Sequence, residues 1–222
     1  MNNKKVSVVI PSLNEGKVIE GVINRVFEAF QKYKIDGECI VMESSTDETH
    51  DIATRLGAKV YRIPKKGLGF AYIESLKYIK GDYIIMGDAD GTYDFMEMGR
   101  FIDKLNDGYD FVMGTRLKGN IHKGAMPWSH RYIGTPILTR MINIFFKTKI
   151  SDANSGLRSL SRPAFERMKL ESHGWEYASE MTLKPVLLKL KIAEVPIRFY
   201  KDRSGRVSHH KRRGWFSPWQ AA

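Results

Sequence analysis

The first half of the chain alternates short apolar runs with longer stretches whose apolar residues recur every three or four positions. Residues 6–10, 38–42, 59–63, 83–86 and 110–114 have the length and β-branched content of buried strands. Between them, Val18, Ile19, Val22, Ile23, Val26, Phe27 and Phe30 mark an amphipathic helix that starts after Ser12-Leu13-Asn14-Glu15. The cluster Ser44-Ser45-Thr46-Asp47-Glu48 has N-cap chemistry and opens a second helix that closes near Gly57. A basic, glycine-bearing loop, Lys65-Lys66-Gly67-Leu68-Gly69, precedes a third helix through Ile73, Leu76 and Ile79, and a fourth spans 96–105. Alternation at this spacing predicts βαβ units and a largely parallel sheet covered on both faces, an α/β fold of Rossmann-like type. Ligands of such sheets gather at the carboxyl ends of the strands. Those ends carry Pro11 to Glu15, Glu43 to Asp47 and Asp88 to Asp90, so the candidate chemistry falls on one edge.

The second half is less regular. The fifth strand stops at Gly114-Thr115-Arg116, and a loop with glycine and lysine runs to Pro127. Residues 128–146 read as a helix bent near Pro136, with Tyr132, Ile133, Ile137, Leu138, Met141, Ile142, Ile144, Phe145 and Phe146 nearly surrounding its later turns. Such a helix is either buried in the core, the commoner case, or in contact with an apolar partner. A helix over 175–190, interrupted by Pro185, and a strand over 192–197 complete the pattern. No repeat or linker divides residues 1–213, which read as one domain followed by a short aromatic tail over 214–222.

Composition changes this picture in two places. The single cysteine, Cys39, excludes a disulfide within the chain. No run approaches the ~20 apolar residues that cross a bilayer, which leads us to expect a soluble or peripheral protein. The formal charge of +11 is unevenly spread. Residues 1–110 hold 15 basic and 18 acidic side chains, whereas residues 111–150 hold seven basic side chains and no acid. Residues 198–213 add seven more against Asp202 alone. A basic block is ordinarily a solvated face, but an acid-free stretch of this length suggests a polyanionic partner: phosphates, nucleic acid or an anionic membrane.

The candidate chemistry centres on Gly87-Asp88-Ala89-Asp90, where a buried strand delivers two carboxylates one residue apart. In an extended segment they share a direction and can reach one cation. A hard divalent ion, magnesium or manganese, takes oxygen ligands and shares them with substrate phosphates. Read alone, the motif is equally an acidic turn.

Six motifs in order decide between these readings. Val8-Val9-Ile10-Pro11-Ser12-Leu13-Asn14-Glu15, Ser45-Thr46-Asp47, Gly87-Asp88-Ala89-Asp90, Gly114-Thr115-Arg116, Asp152-Ala153-Asn154-Ser155-Gly156-Leu157-Arg158 and Trp175-Glu176-Tyr177-Ala178-Ser179-Glu180-Met181 together resemble the family 2 glycosyltransferases of the GT-A fold. Within that family the chain is most similar to polyprenyl-phosphate sugar transferases related to dolichyl-phosphate mannose synthase. The resemblance implies a nucleotide-sugar donor, a polyprenyl (dolichyl or undecaprenyl) phosphate acceptor, inversion at the sugar, a Mg or Mn cofactor and work at the cytosolic face of a membrane. It implies metal ligation by Asp90, with Asp88 at the metal or the ribose, and base and ribose contacts from Pro11, Asn14, Glu15 and Glu43. The family's base-recognising aspartate is replaced here by Met42 and Glu43, which leaves the nucleobase open.

The acceptor is a phosphate, so the site needs cations to bring two anions together, and Arg116, Arg131, Arg203 and Arg206 are the candidates. Asp152 reads as an acceptor-orienting group, a residual base, or a structural cap of the following turn. Glu180 is divided between site and scaffold. The basic segment 198–213, beside Trp215, Phe216 and Trp219, suits an interfacial anchor. Transfer to another glycan acceptor is the alternative activity. A nucleic-acid-binding protein is the alternative outside enzymes; the acidic edge and the lack of a recognised motif argue against it.

Overall fold

Successive residues of the inner strands enter opposite layers, which is why their sequences read as mainly apolar runs rather than as strict alternation. The structure, a computed structural model, describes residues 4–203. Strands β1 (Val6–Ser12), β2 (Gly37–Glu43), β3 (Lys59–Arg62), β4 (Tyr83–Met86), β5 (Phe111–Ile121), β6 (Arg158–Ser161) and β7 (Ile192–Phe199) form one sheet in the order β3-β2-β1-β4-β6-β5-β7. Its helices are α1 (Ile19–Tyr33), α2 (Thr49–Arg55), α3 (Leu68–Ser75), α4 (Met98–Asn106), α5 (Thr135–Phe146), α6 (Arg162–Met168) and α7 (Tyr177–Leu187).

Val8 and Ile10 of β1, Val41 of β2 and Ile85 of β4 pack with Ile19, Ile23 and Val26 of α1 and Phe101 of α4. Val9, Ile40, Ile84 and Met86 face the other layer, against Tyr72 of α3, Phe165 of α6 and Met181 of α7. The expected α/β fold, a mostly parallel sheet covered on both faces, is therefore present.

The strand order sets the position of the site. From β1 the chain builds outward through β2 and β3, then returns to place β4 on the other side of β1, with parallel pairing throughout. The crevice between β1 and β4 is thus a topological switch point, where ligands of open α/β sheets bind. The segment after β4 carries Asp88 and Asp90.

Three features depart from the sequence reading. First, β5 does not stop at Gly114 but runs on to Ile121, where Asn120 and Ile121 pair with Arg198 and Phe199 of β7 after a bulge. Lys118-Gly119-Asn120 looks like a loop in sequence. Gly119 is required because a Cβ there would lie 1.9 Å from the Ile197 carbonyl oxygen. Second, β6 is antiparallel to both of its neighbours, β4 and β5. Its sequence, Arg-Ser-Leu-Ser, carries no strand-like apolar run, so it was not expected.

Third, the residues over 128–146 do not form a core helix. A π-helical segment over His130–Gly134 precedes α5, close to Pro136, where the sequence suggested an irregularity. Trp128, Tyr132, Ile133, Ile137, Met141, Ile144 and Phe145 are exposed, Phe145 by 73%. The buried positions are instead Thr135, Thr139 and Ile142. The core expectation holds for Leu138, Ile142 and Phe146, which pack on the core, and is overturned for the exposed residues.

Candidate active site

The apolar run of β4 ends at Met86, and the chain turns immediately, so Asp88 and Asp90 are presented by a turn rather than by extended strand. Asp90 Oδ1 accepts hydrogen bonds from the Thr92 N–H (2.9 Å) and hydroxyl (2.7 Å), which fix the turn as an Asx-type loop. Both carboxylates line a cleft of about 1040 Å³. Low solvation there, followed by the neighbouring Asp90 charge, pushes Asp88 up to about 7. Asp90 is also raised, first by burial, with Asp202 among the opposing charges.

This pair fits a divalent ion. Two hard oxygen donors share one cleft, and each carries an electrostatic cost that a cation would relieve. The space beside them is kept open by Gly156, where a Cβ would lie 2.7 Å from Asp88 Oδ2. Among the described residues there is no cluster of three or more His, Cys, Asp or Glu able to cage a metal. The remaining coordination positions are therefore left to water and substrate oxygens, as magnesium favours.

The same cleft has a cationic wall. Arg116, at the end of the apolar part of β5, lines it. Asp152 is fully buried and grips the guanidinium bidentately, accepting from Nε at 2.7 Å and Nη2 at 2.8 Å, with a third bond from the Arg116 backbone N–H at 3.0 Å. Asp152 Oδ1 also accepts from the Asn154 N–H at 3.3 Å. Phe199 of β7 lies beneath the guanidinium, 5.1 Å from it. Arg116 is therefore held rigidly, and Asp152 is the group that holds it.

Arg158, at the start of β6, is the second cation of the wall. Its guanidinium is held by carbonyl oxygens of Ser155, Ala178 and Ala153 and by the Thr182 hydroxyl, without a bonded carboxylate. Burial lowers its affinity for the proton. Tyr72 and Tyr177 stack at 5.1 Å along the cleft, and the Tyr93 hydroxyl accepts the Gly156 N–H at 2.7 Å. Sequence reasoning passed over Arg158, Tyr93, Tyr72, Lys201 and Asp202, all of which line the cleft. Only Arg158 carried a signal, since it closes a motif already singled out.

A neighbouring block at the ends of β1 and β2 gathers Pro11, Asn14, Glu15 and Glu43. These strands run in register, with Pro11 opposite Met42 and Ser12 opposite Glu43. Asn14 adopts φ 56°, a left-handed conformation that asparagine tolerates, and clamps the next turn. Its N–H donates to Ser45 Oγ at 2.8 Å, and its Oδ1 accepts from the Thr46 N–H at 2.9 Å. The Glu15 N–H donates to Thr49 Oγ1 at 2.9 Å. Glu43 is buried, accepts from the Ser45 N–H, and has His50 and Arg62 within 3.5 and 3.6 Å. None of these four lines the cleft holding Asp88 and Asp90.

The remaining predicted residues are dispersed. Arg131 sits in the π-helical segment over the Tyr132 ring, 5.3 Å from its centroid, and does not line the cleft. Arg203 lines a second cleft of about 530 Å³ with Lys17 and Arg25, and its N–H reaches the Asp90 carbonyl. Glu180 is scaffold: it accepts from the Glu171 and Ser172 N–H groups and pairs with Lys184 at 2.7 Å. Arg198, first of the basic segment, is bound to Glu97 at 2.8 Å. Arg206 and the aromatic tail lie outside the described residues.

Comparison with known proteins now decides the family. Residues 7–169 match Glycosyl transferase family 2. The chain belongs to that family. It is 43% identical over 203 residues to the low-salt glycan biosynthesis hexosyltransferase Agl6 of Haloferax volcanii, covering 91% of this chain and 49% of that protein. It is 29% identical to a dolichyl-phosphate hexose transferase of the same organism, over 90% of this chain and 85% of the relative. The family 2 chain therefore spans about half the length of the first of these. Among solved structures, glucosyl-3-phosphoglycerate synthase from Mycobacterium tuberculosis superposes with a TM-score of 0.71 at 24% identity, covering 90% of this chain and 72% of that one. At that identity the likeness speaks to the GT-A fold.

Proposed function

We propose that this family 2 member transfers a sugar from a nucleoside diphosphate sugar to the phosphate of a polyprenyl lipid, with inversion at the anomeric carbon. The observation that carries this reading is one cleft with a carboxylate pair, Asp88 and Asp90, on one wall and the rigidly held Arg116 on another. Such a site suits two anionic substrates better than a neutral acceptor. The relatives named for dolichyl-phosphate transfer support the same acceptor class.

In the reaction an oxygen of the lipid phosphate attacks the anomeric carbon as its bond to the donor diphosphate breaks. The bonding pair leaves with the nucleoside diphosphate. Asp88 and Asp90 would hold Mg or Mn, which supplies positive charge to the departing diphosphate when bound. A structure of the glucosyl-3-phosphoglycerate synthase contains Mn2+ and uridine diphosphate, which supports a metal of this type. Arg116 meets the second anion, and Asp152 keeps the guanidinium aimed into the cleft. A phosphate monoester has its second pKa at about 6, so the nucleophile is largely dianionic near neutrality and no strong base is required. That agrees with an Asp152 whose two oxygens are taken up by Arg116. Pro11, Asn14, Glu15 and Glu43 form the base and ribose side, and Arg131, Arg203 and Arg206 serve the approaching lipid phosphate. The acceptor requires contact with a membrane, placed here at the cytosolic face.

The test is organic-phase extraction of radiolabel after incubation with a panel of labelled nucleotide sugars, Mg or Mn, and a polyprenyl phosphate. Metal-dependent transfer into the organic phase is expected. Label passing only to a soluble glycan or hydroxyl acceptor would replace the acceptor assignment, and no metal-dependent consumption of any donor would overturn the reading.

A further inference from the structure

The helical stretch 128–146 is assembled inside out. Of the ten large hydrophobic side chains exposed among the described residues, seven belong to it: Trp128, Tyr132, Ile133, Ile137, Met141, Ile144 and Phe145. Of these, Ile133, Ile137, Met141 and Ile144 recur every three or four residues, with Phe145 beside them, and form one stripe along the helix. The side turned to the protein is partly polar and is held by hydrogen bonds. The Thr139 hydroxyl accepts the Ala153 N–H at 3.1 Å, and the Asn143 side chain binds the carbonyl and N–H of Ile150 at 2.8 and 3.1 Å. The helix is thus fixed to the domain by these hydrogen bonds and by Leu138, Ile142 and Phe146, which pack on the core, while its larger apolar surface is left outward. Patches of this size on a soluble surface mark a docking site.

The surrounding charge identifies the partner. Arg140, Lys147 and Lys149 are exposed on or just beyond α5, Lys123 is exposed before it, and residues 111–150 contain no acid. Exposed apolar residues of mixed aromatic and aliphatic type, accompanied by cations on the same acid-free stretch, complement an anionic lipid surface. The patch also adjoins the cleft, since Met126, Pro127, His130 and Thr135, at the start of the same stretch, line it.

We infer that the outward face of residues 128–146 is a membrane-docking surface that inserts Ile137, Met141, Ile144 and Phe145 into the headgroup and acyl boundary of an anionic bilayer, with Arg140, Lys147 and Lys149 on its phosphates. This locates the membrane contact on α5, on surface already present in the folded domain. It complements the proposed lipid acceptor, but its test needs neither donor nor turnover.

The test is co-sedimentation of the full chain with sucrose-loaded vesicles of phosphatidylcholine alone or mixed with phosphatidylglycerol, whose anionic headgroups attract basic residues. The wild-type protein partitions onto the anionic vesicles. The double variant Ile144→Ser/Phe145→Ser loses roughly tenfold or more of that partitioning, and Arg140→Glu/Lys147→Glu weakens it at least roughly fivefold per residue, an effect that fades in high salt. Both keep the wild-type thermal midpoint, because the altered side chains are exposed. As a second readout, Phe145→Cys carrying an environment-sensitive fluorophore shifts to the blue on vesicle addition; the native Cys39 is buried and stays unlabelled. Unchanged partitioning of both double variants overturns the inference. So does a wild-type dimer, broken by Ile144→Ser/Phe145→Ser, that binds no vesicles, since a second copy then covers the patch. If docking is retained and sugar transfer to the lipid is absent, the docking surface stands and the proposed acceptor does not.

Discussion

At the scale of single residues, the site is governed by how its charges are solvated. Asp88 has a proton affinity near 7 in the fold against an ordinary 3.8. Between those limits the native state holds a proton that the unfolded chain has released, so its contribution to stability is complete below about pH 4 and is lost as pH rises through 7. The metal-free protein should therefore lose stability across that window. Asp88→Asn should flatten the slope and be the more stable form at pH 8, as read from urea midpoints; parallel slopes for the two proteins would contradict the assignment. Gly156 provides an independent probe. Its absent Cβ leaves room beside Asp88 Oδ2, at 2.7 Å, so Gly156→Ala should weaken Mn binding roughly 10- to 100-fold while circular dichroism stays native. Titration followed by the electron paramagnetic resonance of free Mn measures this. Wild-type affinity would mean that the metal does not use this space.

At the scale of elements, the Arg116–Asp152 pair ties β5 to the loop before β6, across 36 residues of chain. Both members are almost wholly buried, so removing one leaves the other charge uncompensated. Asp152→Ala should cost about 3–5 kcal/mol. The double variant Arg116→Ala/Asp152→Ala should cost clearly less than the sum of the singles, as denaturant midpoints in a double-mutant cycle will show. Strict additivity would mean that the pair is not coupled. This tie also shows what a sequence conveys about elements. The parallel half was readable because Val6 to Ile10 and Tyr83 to Met86 are buried on both faces and are almost wholly apolar, with Ser7 the one polar position. The antiparallel β6 was not, because Leu160 is its one apolar core residue and its backbone pairs with β4 and β5, far away in the chain. The later turns of β5 were hidden in the same way, since Lys118-Gly119-Asn120 becomes strand only through pairing with β7. For α5 the apolar residues nearly surround the helix in sequence and name no inward face; the Thr139 and Asn143 hydrogen bonds and the packing of Leu138, Ile142 and Phe146 decide which face turns inward.

At the scale of the whole molecule, the sheet brings together carboxylates from the β4 turn, a guanidinium from β5 and a second from β6, at the switch point beside β1. The carboxylates and Arg116 could be named in advance because they lie in motifs. Arg158 closes one of those motifs but was passed over, whereas Tyr93 and Lys201 reach the same cleft only through the fold. The uneven charge of the sequence also finds its place here, with acids at the β4 turn, cations on the facing wall, and the remaining acid-free surface around α5. The measurement that tests this account most directly is mass spectrometry of the lipid fraction after incubation of the protein with Mg or Mn, a donor panel and a polyprenyl phosphate. The account predicts a sugar-phosphate-polyprenol product from the wild-type protein, reduced at least roughly hundredfold for Asp90→Ala. An unmodified lipid, with the sugar found on another acceptor or still on its nucleotide, would contradict it.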